Sequence, residues 1–100
     1  MQETILQRSS NKDKKFDAFV EGKKVSFGDS QYQDYTQHKD DERRFKYLNR
    51  HKPNEVWYDL KTAGTWSRWL LWQKKTIPEA IKFMEDKFKI KITYKKWLIL

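Results

Sequence analysis

The chain has 100 residues, no cysteine, and 22 Lys and Arg against 14 Asp and Glu, for a formal charge of +8. One hundred residues suit a single small domain. The missing cysteines exclude disulfides and thiolate metal sites, and the 16% aromatic content argues for a packed core rather than disorder.

Taken in chain order, residues 1–13 are polar and read as an extended N-terminal arm, leaving residues 14–100 as a single small α+β domain. MQETILQRSS lacks the apolar core of a signal peptide, and no apolar run approaches the about 20 residues of a membrane helix. These features point to an intracellular protein with no membrane span. KKFDAFV (Lys14 to Val20) and KKVSFG (Lys23 to Gly28) alternate apolar and polar residues. Glu21-Gly22 between them suits a tight turn, so the pair reads as an N-terminal β-hairpin. Two strands alone are marginal and call for a third strand or a helix.

Gly28 to Gln37 reads as a loop carrying two tyrosines. Asp40 or Asp41 caps a helix running to about His51, and Pro53 stops it. At 100° per residue, Phe45 and Leu48 form its narrow apolar edge, while Arg43, Tyr47 and Arg50 share the opposite side. Ala63-Gly64 reads as a break, and Thr65 caps a short helix to about Gln73. Thr76 to Glu79 (TIPE) has the Thr-x-x-Glu capping pattern with an early Pro. Ile77, Ile81, Met84 and Phe88 follow at helical spacing. KIKITYKK then alternates as a C-terminal strand that can join the hairpin, followed by the apolar tail Trp97 to Leu100. The fold class is therefore α+β: an N-terminal hairpin, two to three central helices and a C-terminal strand.

No arrangement of residues in this sequence speaks for catalysis. The serines have no GxSxG setting, the three glycines are scattered, and the adjacent Asp40 and Asp41 point in different directions on a helix. HKDDE (His38 to Glu42) groups a histidine with carboxylates, but interleaved lysines and arginines make it a charged helix start rather than a metal site. The expectation is a non-enzymatic protein with no cofactor and no small-molecule substrate.

The charge points to acidic partners. Arg43, Arg44, Tyr47 and Arg50 on one helix, with Lys95 and Lys96 on the last strand, are the candidate polyanion contacts. Trp66, Trp69 and Trp72 crowd a short stretch, with Leu70 and Leu71 between them. On a regular helix Trp66, Trp69 and Leu70 share a side and fit a core. Two readings stay open: core alone, or core plus an interface at which at least one indole faces a partner protein. For the second, Trp66, Trp69 and above all Trp72 are the candidate interface residues, with the tail residues Trp97, Leu98 and Leu100.

These residues also carry a resemblance. Phe27-Gly28, Tyr32 to Asp40 (YQDYTQHKD), Arg50-His51, Glu55-Val56-Trp57 and Thr62 to Trp72 (TAGTWSRWLLW) resemble a family of small basic proteins. That family is encoded by nucleocytoplasmic large DNA viruses of iridovirus, phycodnavirus and mimivirus type. The resemblance covers about residues 25–81. Val56 stands where Asn is usual, Thr65 where an aromatic is, and Ala80 where Ser is. It implies a viral, virion-associated protein and brings no activity with it. The expected function is a minor capsid component contacting the major capsid protein and other minor capsid proteins. It would be located in the virion, and in the host cell cytoplasm during assembly. The alternative is a basic virion protein binding DNA non-specifically, and a host-directed interaction module is a third reading.

Overall fold

The alternation in the two N-terminal apolar stretches becomes a hairpin, and that hairpin is half of a four-stranded sheet. In the computed structural model, which describes residues 2–54 and 56–95, strand β1 is Gln2–Arg8, β2 is Lys14–Val20 and β3 is Lys23–Asp29. Glu21 and Gly22 join β2 to β3 with φ of 48° and 82°, the positive values that match the twist of a two-residue hairpin turn. Phe16 pairs with Phe27 and Ala18 with Val25, and all four side chains turn inward.

Residues 1–13 are not an arm outside the domain. β1 lies inside the sheet, whose order is β3-β2-β1-β4, with β4 formed by Ile90–Lys95. β1 runs antiparallel to β2, with Leu6 opposite Ala18, and parallel to β4, with Leu6 opposite Tyr94. Only two of its side chains, Thr4 and Leu6, are fully buried. That is too short an apolar pattern to mark a strand in the sequence. Its place comes from backbone hydrogen bonding on both edges.

Helix α1 (Tyr35–His38) stands in the segment expected as a loop, and α2 spans Asp41–His51 with Asp40 as its N-cap. A 3-10 turn, Lys52–Asn54, follows at Pro53. The Trp-rich stretch departs from expectation. Helix α3 is Ala63–Trp66, so Ala63-Gly64 opens a helix rather than breaking one, and Ser67–Leu71 is a π turn. Its cap is Thr62, not Thr65. Thr62 stands three residues ahead and its hydroxyl accepts the Thr65 N–H at 3.4 Å. Thr65 is buried and donates instead to the Val56 carbonyl at 2.9 Å. The wider π turn shifts the helical phase, so that Leu70 and Leu71 both join Trp66 in the core.

Helix α4, Ile77–Phe88, begins at Thr76, whose hydroxyl donates to the Glu79 carboxylate at 2.8 Å and accepts its N–H. Ala80 and Met84 are fully buried beneath it. Lys89 ends it with φ 57°, and β4 starts at the next residue. The core therefore lies between one sheet face and the α3–π–α4 layer. At its centre the Trp66 ring stacks on Phe27 at 5.6 Å, and the Trp66 indole N–H donates to the Leu60 carbonyl. Burying an indole of about 200 Å² contributes roughly 5 kcal/mol before entropy is counted.

Candidate binding cleft

Helix α2 docks through Arg44, Tyr47, Leu48 and His51, a face lying between the two that the sequence reading separated. Arg43 and Arg50 stay exposed as expected, but Tyr47 is buried and Phe45 is 64% exposed, the reverse of the expectation for these two. The surface α2 meets is itself aromatic and rich in carbonyls, because the chain leaves the π turn at Trp72. Tyr47 stacks on Trp72 at 4.1 Å and 3°, and Arg44 donates through Nε to the Trp72 carbonyl at 2.7 Å. A second Arg44 nitrogen reaches Gln73 Oε1 at 3.1 Å. A phenol and a guanidinium three residues apart satisfy this surface, whereas Phe45 brings no polar group to it.

Further rings pack around the Tyr47–Trp72 pair at an angle rather than parallel to it. His51 lies 4.3 Å from Tyr47, His38 5.3 Å from Trp72, and Tyr35 6.2 Å from His38. This column ties α1, α2 and the end of the π turn together. The Tyr35 hydroxyl donates to Asp41, which raises its pKa, and burial raises it further. His38 Nδ1 accepts the Asp40 N–H at 2.9 Å, which puts the proton of the neutral ring on a buried Nε2. Burial and then Arg43 lower its pKa below the ordinary histidine value.

Beside this column opens a cleft of about 400 Å³. Its inner wall is Phe27, Leu71, Tyr47 and Trp72, and small residues, Gly28, Ala63, Gly64 and Ser67, keep it open. Gly28 carries φ 82°, and a Cβ there would stand 2.9 Å from Leu71 Cδ1, so a side chain would close this end. Lys14, Lys15, Arg50 and His51 supply the basic lining, Asp29 and Asp34 the acidic, and Tyr32 lies on it with 68% of its surface exposed. Lys15 and Asp34 neutralise one another at 2.7 Å, and Asp34 also caps α1 by accepting the Thr36 N–H. Lys14, Arg50 and Asp29 are exposed.

Three stretches far apart in the chain meet here. Phe27 to Asp34, Arg50-His51 and Ala63 to Trp72 supply most of the lining, and these are the stretches on which the family resemblance rests. No single stretch signals the cleft, because each contributes only a few residues and the fold assembles them. Tyr32 and Lys14 were not among the sequence candidates.

The remaining candidates fall as follows. Trp66 is fully buried, which removes it as an interface residue. Trp69 is half-buried. Its N–H donates to the Trp57 carbonyl at 2.7 Å, its ring packs on Phe83, and the charges of Arg68 and Lys87 lie 4.0 and 4.4 Å from its centre. Trp72 is half-buried in the column. Arg68 is buried and donates to Gln73 at 2.7 Å, and among the described residues no carboxylate pairs with it. Burial first, and Arg44 beside it, lower its pKa to about 10, so it remains charged at neutral pH. Among the polyanion candidates Arg43 and Arg50 are exposed, Lys95 is half-buried, Arg44 is engaged within the fold and Tyr47 is buried. Trp97, Leu98, Leu100 and Lys96 lie outside the described residues. Among the described residues no group of three or more His, Asp or Glu could hold a metal ion, and no helix is long and apolar enough to cross a membrane.

Fold and cleft together define a small α+β domain with a mixed four-stranded sheet and a cleft lined by basic and aromatic residues. Residues 4–51 match the model of a family of unknown function (DUF5754), a stretch running from β1 to the end of α2. No curated protein and no solved structure matches the chain.

Proposed function

We propose that this is a non-enzymatic virion protein of a large DNA virus whose basic surface holds nucleic acid. The viral assignment rests on the resemblance of the motif segments. The observation that carries the nucleic-acid reading is a division of labour among side chains. Of Trp66, Trp69 and Trp72, the aromatic residues that suggested a docking face, the first is fully buried and the other two are half-buried against neighbouring rings. The cations Lys14, Arg43, Arg50, Lys89 and Lys91 remain exposed on a +8 chain. Such a distribution suits phosphate contacts, which give affinity without reading sequence.

The test is to disrupt purified virions at moderate salt and follow this chain by quantitative mass spectrometry. Departure with the genome, and release from it by salt alone, is the expected result. In solution, the logarithm of duplex affinity should fall with log salt by about 0.9 per phosphate contacted, and Arg43→Gln with Arg50→Gln should flatten that slope by about two contacts. Retention with the emptied shell would favour a second reading, a contact with the major capsid protein or other minor capsid proteins. The observation behind that reading is exposed apolar surface: Phe45 at 64%, Val56 at 48% and Tyr58 at 79%. Absence from virions would defeat both.

A further inference from the structure

We infer that the cleft beside the aromatic column takes one unpaired nucleotide, free or within a single strand, so that the protein prefers unpaired to duplex nucleic acid. This rests on the nucleic-acid reading and adds to it a site and a selectivity that charge alone cannot provide.

Size is the first ground. About 400 Å³ falls in the range of small-ligand sites, roughly 300–1,000 Å³, and admits one nucleotide but no helix. Its chemistry is the second. Tyr32 is 68% exposed on the lining, a phenol face against which a base can stack, while half-buried Trp72 offers apolar contact beneath it. Lys14 and Arg50 stand exposed on the same cleft to receive a phosphate.

The acids choose between occupants. Lys15 and Asp34 cancel, which leaves the exposed Asp29 carboxylate as the remaining negative group on the lining. One Asp29 oxygen accepts the Gln31 N–H at 2.9 Å, and a carboxylate has further acceptor sites. A nucleotide brings a phosphate for the cations together with amino or ring N–H groups for Asp29. The side chains of an acidic peptide bring acceptors only and would meet Asp29 as a like charge. A duplex hides its base faces in the stack and reaches only the exposed cations.

The experiment uses the full chain and three probes: a short oligodeoxycytidylate, a duplex of equal length, and deoxycytidine monophosphate. Fluorescence anisotropy should give single-strand binding about ten-fold tighter than duplex. Tyr32→Ala, at an exposed position that leaves the core intact, should abolish that preference, with duplex affinity unchanged. Lys82→Gln on the outer side of α4 should change neither. The monophosphate should shift the indole N–H resonance of Trp72, assigned with Trp72→Phe, and leave that of buried Trp66 in place. A shift with the monophosphate but no strand preference identifies a free nucleotide as the occupant. Equal single-strand and duplex affinity that is insensitive to Tyr32→Ala, with no monophosphate shift, overturns the cleft and leaves the basic-surface reading standing. No binding of strand or duplex at low salt overturns both. A Trp72 shift with polyglutamate and none with the monophosphate assigns the cleft to an acidic protein and overturns the inference.

Discussion

Phe45 and Tyr47 sit two residues apart on α2 and end in opposite environments, the hydrocarbon ring outside and the phenol inside. Hydrophobicity alone ranks them the other way. What decides is the docking surface, a flat indole beside open carbonyls, on which Tyr47 stacks and Arg44 donates. His38 packs against the same indole, its ring tilted by 57°, and carries a pH dependence. Burial and Arg43 disfavour its charged form, while Lys15 acts in the same direction and Asp40 and Asp34 oppose it. The unfolded chain therefore binds the proton more readily. Stability from this residue is present above the ordinary histidine pKa of 6.5 and is lost as pH falls below it. The urea midpoint should drop between about pH 7.5 and about pH 5, and His38→Gln should narrow that drop. An unchanged difference in the variant would place the effect elsewhere.

At the scale of elements, capping chemistry was legible where the cap is local. Thr76 with Glu79 could be read directly, and the cap of α2 could be narrowed to Asp40 or Asp41, because an N-cap needs only residues two or three positions on. Thr65 misled because Thr62, an equally good cap, precedes it, and a π turn has no periodic signature in the sequence. Asp34 shows what local reading omits. It caps α1, and its nearly buried carboxylate pairs with Lys15 from β2, nineteen positions earlier in the chain. Asp34→Ala removes the cap and leaves a poorly hydrated cation, so it should cost roughly 3 kcal/mol in urea unfolding. A loss of only about 0.5 kcal/mol would mean that Gln37, which also holds Lys15 at 2.7 Å, suffices for it.

At the scale of the molecule, β1 joins the hairpin to β4, and a chain starting at Ser9 would lose both pairings of one of the sheet's two interior strands. Such a truncation should fail to fold, seen as collapse of amide dispersion in NMR spectra, whereas an N-terminal arm could be removed at little cost. The sequence by itself determined the hairpin, α2, α4, the final strand and the α+β class, because turn residues, caps and the two hydrophobic periods act within a few positions. It also determined a basic chain rich in aromatic residues. Only the tertiary structure decided that β1 is interior, that Tyr47 faces inward, and that Trp66 lies in the core while Trp69 and Trp72 are half-buried against neighbouring rings. The cleft belongs with these, since Lys14, Tyr32, Arg50 and Trp72 come from four separate segments. The physical reason is the same throughout: sheet pairing, stacking and burial depend on what lies opposite a residue in space, and neighbours in the chain do not specify it.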